Sequence, residues 1–402
     1  MTTSTAPTGL MSMRRAWTAL SLGVAAQTAG TVFVSAPAFL IPLLHTERGL
    51  SLAEAGLLAS APTVGMVVTL VAWGALADRI GERWVIAGGL ALTAAAAAGA
   101  IAAQGYLALG VLLFAGGMAS ASTNAASGRV VVGWFPKNQR GLAMGIRQTC
   151  QPLGVTIAAV TVPLIASGSG VGAAVALPFA LTAVVAVACA IGIRNPPRAP
   201  RPADAAAATA NPYRSGGFLW RIHGVSALLV VPQFTLSIFG LVWLVSDQGW
   251  SPLAAGVLVG AAQFVGAVAR IAAGVLSDRV GSRVRPLRWV AVAAGVSMLA
   301  LAASDAAGWA AAAVVFVVAT TASVVDNGLA FTSVAEMAGS DWAGRALGVQ
   351  NTGQFVVASA VGPLVGALIG VVGFPLAFAA TALFPAVAAA LVPSGSTERD
   401  LL

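Results

Sequence analysis

The chain has 402 residues, of which 58% are hydrophobic and 8% charged, whereas about a quarter of the residues in an ordinary soluble domain are charged. This composition excludes a water-soluble globule, and the length leaves no room for a large domain outside a membrane. The formal net charge of +8 suggests nucleic-acid binding in a soluble protein, so the positions of the basic residues decide what the charge means.

The chain begins with residues 1–13, which are polar and small and lack the pattern of a signal peptide, so we expect a disordered tail there. Twelve apolar runs follow, each long enough to cross a bilayer at about 20 residues per crossing. The runs cover residues 17–44, 52–77, 84–105, 106–128, 141–167, 171–193, 219–246, 253–277, 286–304, 309–335, 344–371 and 373–393.

The series is interrupted at residues 194–217, where prolines and arginines are typical of a linker between two halves. The sequence therefore predicts an all-α membrane protein with twelve transmembrane helices. These form two six-helix bundles, residues 14–193 and 218–393, and the second is followed by a cytoplasmic tail at 394–402.

The basic residues of the loops fall almost entirely on one side of the predicted membrane. With the amino terminus in the cytoplasm, Arg48 lies outside, and the inner loops and tails carry Arg14, Arg15, Arg79, Arg83, Arg129, Lys137, Arg140, Arg194, Arg198, Arg201, Arg214, Arg221, Arg279, Arg283, Arg285, Arg288, Arg345 and Arg399. Because lysine and arginine in short loops set orientation, we expect a multi-pass protein of the inner or plasma membrane with both termini cytoplasmic. The surplus of basic residues is then a row of loops, which excludes a nucleic-acid partner.

Two sets of residues repeat between the halves. GALADRIGER, from Gly74, recurs as GVLSDRVGSR, from Gly274, at an offset of 200 residues. At an offset of 203 residues, the second half repeats a further set as Asn124/Asn327, Gly145/Gly348, Thr149/Thr352 and Gln151/Gln354. Parallel duplication of a six-helix bundle gives this pattern, and a solute site is expected near the middle of the membrane, where the halves face each other.

The repeated G-x-x-x-D-R-x-G-x-R pattern resembles the loop signature of the major facilitator superfamily, and the resemblance covers the chain from the first span to the last. It implies the major facilitator fold, with two pseudo-symmetric bundles that rock about a cavity lined mainly by helices one, four, seven and ten. Charges at helix ends can latch one conformation; alternatively, these charges only set the topology. The candidate latch residues are Gly74, Asp78, Arg79, Arg83, Gly274, Asp278, Arg279 and Arg283.

Three charged residues remain inside the predicted spans, namely Arg147, Arg270 and Asp326. A charge within the membrane is costly enough to indicate function. Counted from the nearest loop charge at about 1.5 Å per residue, all three lie about 10–15 Å from the cytoplasmic end, so we expect them to share a layer.

Amides accompany these charges at helical spacing and can orient a solute by hydrogen bonds without adding charge. Gln151 lies one turn from Arg147 and Gln263 two turns from Arg270. The other candidates for solute contact are Gln350, Gln354, Asn124 and Asn327. Packing between helices is the alternative role for such amides.

Three interpretations of the charged layer compete. The arginines can bind an anion, because guanidinium matches a carboxylate and stays charged in a cavity of low dielectric constant. Alternatively, Asp326 neutralises an arginine in a structural ion pair. In the third, Asp326 is the proton-coupling acid, which solute binding to the nearby arginine releases to take up a proton.

A second resemblance concerns GWFPKNQRGLAMGIRQTCQPLG, residues 133–154, which is similar to the fourth-to-fifth loop of the anion-handling branches (nitrate/nitrite, oxalate/formate and monocarboxylate carriers). Arg270 falls where the oxalate and monocarboxylate branches carry the arginine that holds a carboxylate. The nitrate branch's arginine has no counterpart near Leu70, and neutral residues replace the oxalate branch's lysine: Gln350, Asn351 and Gln354.

These observations predict a secondary transporter that moves a small organic monoanion, such as a monocarboxylate, with a proton by rocker-switch alternating access. The alternatives are proton-driven efflux of drugs or metabolites, a nitrate/nitrite-type porter of inorganic anions, and a membrane sensor that transports nothing. Drug/proton antiporters of the superfamily usually carry G-P-x-x-G-G in helix five, where this chain has QPLG at residues 151–154.

Residues suited to metal binding or catalysis are few. Cys150 and Cys189 lie in apolar runs, and His45 and His223 are too far apart in the chain to suggest a catalytic group. We therefore expect no enzymatic activity, no metal and no cofactor. The expected partners are the anion, a proton and the lipid bilayer, and we expect a monomer.

Overall fold

The computed structural model describes residues 8–48, 52–103, 105–196, 211–214 and 216–402. Within these ranges the chain is helical, with a 3₁₀ turn at Gly395–Thr397 and no strand. The helices are α1 (Thr8–Arg48), α2 (Leu52–Ile80), α3 (Glu82–Ala102), α4 (Tyr106–Trp134), α5 (Lys137–Arg147), α6 (Cys150–Gly192), α7 (Phe218–Ser246), α8 (Pro252–Val280), α9 (Val284–Ala306), α10 (Ala312–Val324), α11 (Asp326–Ala338), α12 (Ala343–Thr381) and α13 (Leu383–Leu391).

Eleven stretches of the described helices are long and apolar enough to cross a bilayer. The last of them, Ala343–Leu391, has 49 residues, which is enough for two crossings at about 20 residues each. The prediction of an all-α protein with twelve transmembrane helices is therefore confirmed.

Two glycines separate neighbouring spans at equivalent places in the two halves. Gly170 (φ +81°) breaks α6 between the fifth and sixth spans, and Gly373 (φ +78°) breaks α12 between the eleventh and twelfth. Residues with a Cβ rarely adopt this backbone conformation. The two glycines are 203 residues apart, as are the residues of the second repeat, so the duplication extends to backbone geometry.

Three shorter interruptions fall inside spans. Residues 148–149 separate α5 from α6, Val325 separates α10 from α11, and Ala382 separates α12 from α13. Where a helix is interrupted, main-chain carbonyls lose their helical partners and can accept hydrogen bonds from side chains.

The segments predicted as tails and linker differ in how much of them the structure describes. Helix α1 begins at Thr8, inside the predicted tail of residues 1–13. Most of the predicted linker, residues 197–210 and Ser215, lies outside the described residues. The carboxyl-terminal segment 394–402 is described to its end, and its side chains bind nearby helices.

The chain divides into two compact units. Among the described residues, the N unit contains those up to Pro136, those from Thr149 to the linker, and Ser340–Asn351. The C unit contains Lys137–Gln148, those from the linker to Gly339, and Thr352–Leu402. Each unit thus includes a short segment, residues 340–351 or 137–148, from the opposite half of the sequence, so units and sequence halves differ there.

The N unit is held together by apolar helix contacts at both ends. One cluster contains Phe33 and Leu113, and another contains Ile86 and Leu90. Small residues let helices α2 and α4 approach closely, because a Cβ at Gly117 would overlap the main chain of Pro62.

The C unit has its own apolar core, in which aromatic rings dominate. Trp243 of α7 is fully buried between Phe316 of α10 and Phe378 of α12, with ring centroids 5.6 and 5.8 Å away. Offset and edge-on ring contacts of this kind are favourable. The core packs α7, α10 and α12 against one another.

Candidate functional site

Each unit contains an aspartate whose carboxylate binds two consecutive main-chain N–H groups of a neighbouring helix. In the N unit, Asp78 on α2 accepts from residues 344–345 on α12, at 3.0 and 3.2 Å. In the C unit, Asp278 on α8 accepts from residues 141–142 on α5, at 2.9 and 3.0 Å. A carboxylate near the amino-terminal end of a helix is favourable for the helix dipole.

Glycine pairs bring the main chains close enough for these bonds. A Cβ at Gly344 would overlap Gly74 in the N unit, and a Cβ at Gly141 would overlap Gly274 in the C unit. Packing therefore explains why the repeated loop pattern contains Gly74 and Gly274, because larger residues would separate each aspartate from the helix that it binds.

The cation that neutralises Asp78 in the N unit comes from α4. Arg129 pairs with Asp78 and with Glu82, where the Nε–Oε1 distance is 2.7 Å. Arg345 adds a longer contact to Asp78 at 3.3 Å. Arg83, a predicted latch residue, instead donates from Nε to the Ala190 carbonyl at 2.7 Å.

A larger charge cluster surrounds Asp278 in the C unit. Arg283 pairs with Asp278 at 2.6 Å and with Glu336 at 3.0 Å, while Arg140 reaches Glu336 at 3.4 Å and Asp400 at 2.8 Å. Burial acts to lower the pKa of Arg283, but Glu336 and Asp278 outweigh it, so this pKa lies above its ordinary value. The cluster joins α5, α8, α11 and the carboxyl-terminal segment.

The other two predicted latch residues, Arg79 and Arg279, are exposed. Sequence reasoning missed the residues that complete the two clusters: Arg129, Glu82, Arg140, Glu336 and Asp400. They lie at or near the ends of apolar runs or in a tail, where a charge is ordinarily read as part of a solvated loop. The sequence did contain one indication of these clusters, namely an acidic residue next to the end of an apolar run, as at Glu82 and Glu336.

In each unit, a returning segment, which is the stretch that follows the last span of a sequence half, binds the start of the third helix of that half. In the C unit, Glu398 accepts hydrogen bonds from the N–H groups of Arg283 (2.7 Å) and Val284 (3.0 Å) at the start of α9. In the N unit, Asn195 accepts from the N–H group of Arg83 at the start of α3, at 2.9 Å. Both are amino-terminal caps.

The three charges inside the spans all belong to the C unit. Arg147 ends α5, Arg270 lies on α8 and Asp326 begins α11, and their side chains are buried, with residue exposures of 1%, 6% and 1%. Burial of charge at this level requires partners within the protein, and both arginines bind Gln148.

Arg270 binds main-chain carbonyls at two interruptions of neighbouring helices. Its Nη1 donates to the carbonyl of Gln148, between α5 and α6, and its Nε donates to the carbonyl of Val324, at the end of α10, both at 2.9 Å. Arg147 donates from Nη1 to the side-chain Oε1 of Gln148 at 2.9 Å and lies over the ring of Phe331 at 5.3 Å. One residue thus contacts both guanidinium groups.

Asp326 differs from the arginines in its surroundings. Among the residues that the structure describes, no other side chain donates a hydrogen bond to either carboxylate oxygen. A buried carboxylate with this little compensation is costly in its ionised form.

The amides of the C unit form a connected group. Asn327 donates to Gln233 at 3.2 Å and accepts from Gln354 at 2.7 Å, while Gln354 also donates to Ser226 at 2.6 Å. Gln263 is half-buried and has a long contact of 3.5 Å with Ser237. Sequence reasoning missed Gln233, although an amide inside an apolar run was the available signal.

A similar group lies in the N unit, where Gln27 donates to Asn124 at 2.7 Å and accepts from Ser127 at 3.0 Å. Gln27, like Gln233, was not among the predicted residues. Gln151 is exposed and Gln350 is buried in this unit. Gln350 and Gln354 lie one turn apart on α12, and Gln354 belongs to the C unit.

Comparison with known proteins gives a family for the whole chain. The model of the Major Facilitator Superfamily matches residues 20–363. An uncharacterized MFS-type transporter of Mycobacterium tuberculosis strain H37Rv is 48% identical over 387 residues, which are 96% of this chain and 86% of that protein. Its counterpart in strain CDC 1551 matches with the same identity and coverage.

Solved structures share the fold at low sequence identity. The Escherichia coli fucose:proton symporter has a TM-score of 0.73 at 18% identity, with 93% of this chain and 97% of that chain covered. The human organic anion transporter TETRAN has a TM-score of 0.71 at 16% identity, with 94% and 99% covered. At these identities the likeness concerns the fold alone.

Proposed function

Because the chain belongs to the major facilitator superfamily, we propose that it is a secondary transporter that moves a small organic monoanion together with a proton. In this proposal the protein is a monomer that works by rocker-switch alternating access. It lies in the bacterial cytoplasmic membrane with both termini inside, as the distribution of its loop arginines favours.

The observation that carries the proposal is the charge of the buried layer. Arg147 and Arg270 bring two positive charges into one unit, and Asp326 brings one negative charge, which leaves an excess of one positive charge. An uncompensated buried charge is costly. That excess attracts an anion, and the planar guanidinium group fits a carboxylate. A monoanion that enters together with one proton leaves the net charge of these residues unchanged.

Proton coupling is assigned to Asp326 in this proposal. Arg270, a buried cation of the same unit, is the partner assigned to Asp326 here. When a carboxylate solute binds Arg270, it takes up part of that positive charge, so Asp326 holds a proton more readily. Solute and proton would then enter the buried layer together.

The names of two structural neighbours are compatible with this assignment. One is an organic anion transporter and another is a fucose:proton symporter. Each name describes that protein alone, and the second names a sugar, so the substrate class rests on the charge balance in this chain. Drug efflux, transport of nitrate and a sensor without transport are outcomes that the experiment distinguishes.

The proposal is tested by uptake into proteoliposomes that contain the purified protein. A panel of labelled acetate, lactate, pyruvate, nitrate and a lipophilic cation separates the substrate classes. We expect uptake of at least one monocarboxylate, driven by an inward proton gradient and abolished in Arg270→Ala and Arg270→Lys. Arg15→Gln, which removes an exposed arginine of α1, is the matched control and should transport normally.

Uptake of the monocarboxylate by Arg270→Ala and Arg270→Lys at the wild-type rate would end the assignment of the anion site. Transport of the lipophilic cation without any carboxylate uptake would favour efflux instead. Nitrate uptake alone would favour the inorganic porter, and the absence of flux for every probe, despite correctly folded protein, would favour the sensor.

A further inference from the structure

A cavity of about 380 Å³ lies in the C unit, and none of the three charges inside the spans lines it. It is enclosed by the start of α7, the end of α11 and the carboxyl-terminal segment. Pockets that bind small ligands usually have volumes of about 300–1,000 Å³. The cavity is therefore large enough for a phosphate group with a short organic substituent.

The side chains that line the cavity indicate the charge of a ligand. Among the described residues of the lining, Arg221 and Arg399 are charged and none is acidic, while Ser396 and Thr397 add hydroxyl groups. Two guanidinium groups without a carboxylate favour an anion, and the planar guanidinium group matches the oxygens of a phosphate.

Both arginines have donors left for a ligand. Arg221 donates from Nε to the carbonyl of Leu391 at 2.8 Å and from Nη2 to the carbonyl of Val392 at 3.3 Å. Because a guanidinium group has five N–H donors, these bonds position Arg221 without exhausting it. Arg399 is exposed, and among the described residues no hydrogen bond or ion pair involves its guanidinium group.

The acidic residues next to Arg399 along the chain have other partners. Glu398 accepts a hydrogen bond from the N–H group of Arg283 at 2.7 Å. Asp400 pairs with Arg140 at 2.8 Å. The carboxyl-terminal segment thus binds its acids to other residues of the C unit and leaves Arg399 to line the cavity.

We propose that this cavity binds the phosphate group of an anionic ligand, which Arg221 and Arg399 hold. Main-chain N–H groups at the start of α7, which begins at Phe218 without a side-chain cap, are additional donors. The site is separate from the proposed anion site in the spans and does not depend on it. In the proposed orientation the cavity faces the cytoplasm, so the phosphate belongs either to an anionic phospholipid headgroup or to a soluble phosphate ester.

The test measures thermal unfolding of the full-length purified protein in detergent. The probes are dioleoylphosphatidylglycerol and glycerol 3-phosphate, with dioleoylphosphatidylcholine and glycerol as their controls without net negative charge. Arg399→Gln removes one charge from the cavity. Arg279→Gln removes another exposed arginine of the C unit, which does not line the cavity, and serves as the matched control.

We expect phosphatidylglycerol or glycerol 3-phosphate to raise the Tm of the wild type, and phosphatidylcholine and glycerol to leave it unchanged. In Arg399→Gln, the concentration that gives half-maximal stabilisation should rise about tenfold, because a charged hydrogen-bonding group is lost. It should stay unchanged in Arg279→Gln. A response to phosphatidylglycerol alone identifies a lipid headgroup as the ligand, whereas a response to glycerol 3-phosphate identifies a soluble phosphate ester.

The absence of stabilisation by both phosphate compounds would overturn the inference. So would equal half-maximal concentrations in the wild type and Arg399→Gln, or an equal rise in Arg399→Gln and Arg279→Gln, because either result indicates general attraction to basic residues. Arg399→Lys keeps the charge but lacks the planar fork, and we expect a smaller rise than in Arg399→Gln. If Arg399→Gln does not fold, Arg399→Lys provides the same comparison with Arg279→Gln.

Discussion

The N unit and the C unit share their scaffold almost position by position. Both have an aspartate that binds two main-chain N–H groups, a pair of glycines in close contact beside it, and a returning segment that caps the third helix. The offsets of 200 and 203 residues that relate the sequence halves also relate these contacts. Features that survive duplication in both units are the ones that any such bundle needs in order to pack.

The two units differ in the three charges that the sequence places inside the spans. At the same offsets, Arg147 corresponds to Gln350, Arg270 to Leu70 and Asp326 to Thr123, so the N unit has neutral residues at the positions equivalent to these three charges. A bundle can therefore be built without these charges. Charges that are costly to bury and that occur in one unit alone are better candidates for a functional role than the features that both units share.

The largest expected effect comes from removing this difference. A triple variant, Arg147→Gln, Arg270→Leu and Asp326→Thr, gives the C unit the residues of the N unit. We expect it to fold, because replacing a buried ionic group by neutral residues is often tolerated, and to lose monocarboxylate uptake by about 100-fold or more. Size-exclusion chromatography and proteoliposome uptake check both expectations.

A triple variant that transports normally would remove the functional meaning of the comparison. A triple variant that aggregates while each single variant folds would show that the charges are structural.

The shared aspartates should matter equally in both units. Asp78→Asn and Asp278→Asn each remove one of the two acids that pair with a buried arginine, so we expect a loss of about 3 kcal/mol in either case. Thermal unfolding of the two variants compares them directly. A loss in one unit and none in the other would contradict the equivalence of the two aspartates.

Asp326 should behave unlike those aspartates, because none of the described side chains donates a hydrogen bond to it. We expect Asp326→Asn to change stability by no more than about 1 kcal/mol. It should also abolish accumulation driven by a pH gradient, because an amide carries no proton. One coupled proton supports about tenfold accumulation per pH unit, which uptake with and without a pH gradient measures. Undiminished pH-driven accumulation in the variant would exclude Asp326 as the coupling acid.

The smallest effect is expected at the two returning segments. Glu398→Ala and Asn195→Ala each remove a helix cap, which costs about 1 kcal/mol. Asp400 is partly exposed, so its ion pair with Arg140 should contribute less than the buried pairs. Thermal unfolding of Glu398→Ala and Asn195→Ala should give similar shifts, and a loss of transport in Glu398→Ala alone would reveal a role beyond capping.

The transmembrane helices could be predicted from the sequence because apolar length is a direct physical requirement of the bilayer. Arg147, Arg270 and Asp326 could be singled out for a related reason, since charges are rare inside such runs. Their placement in one unit depends on α5 packing with the opposite half of the chain, which the order of the spans does not show.

Other parts of the site depend on details that residue type alone does not encode. The role of Gln148 comes from its main-chain carbonyl, and Arg83 binds the carbonyl of Ala190 where its counterpart Arg283 binds two acids. Arg129 resembled a loop charge in the sequence, because its acidic partners Asp78 and Glu82 lie on other helices and are not close to it along the chain. Gln27 and Gln233 were within reach of the same reasoning that found Asn124 and Asn327.

The most direct test of the anion site is a thermal-stability screen of the wild type and Arg270→Leu against ligands of different charge. The panel contains small monocarboxylates, dicarboxylates, nitrate, neutral sugars and lipophilic cations. We expect one or more monocarboxylates to raise the Tm of the wild type and to have no effect on Arg270→Leu. Stabilisation by a sugar or a cation to the same extent in both proteins, with no response to monocarboxylates, would contradict the account.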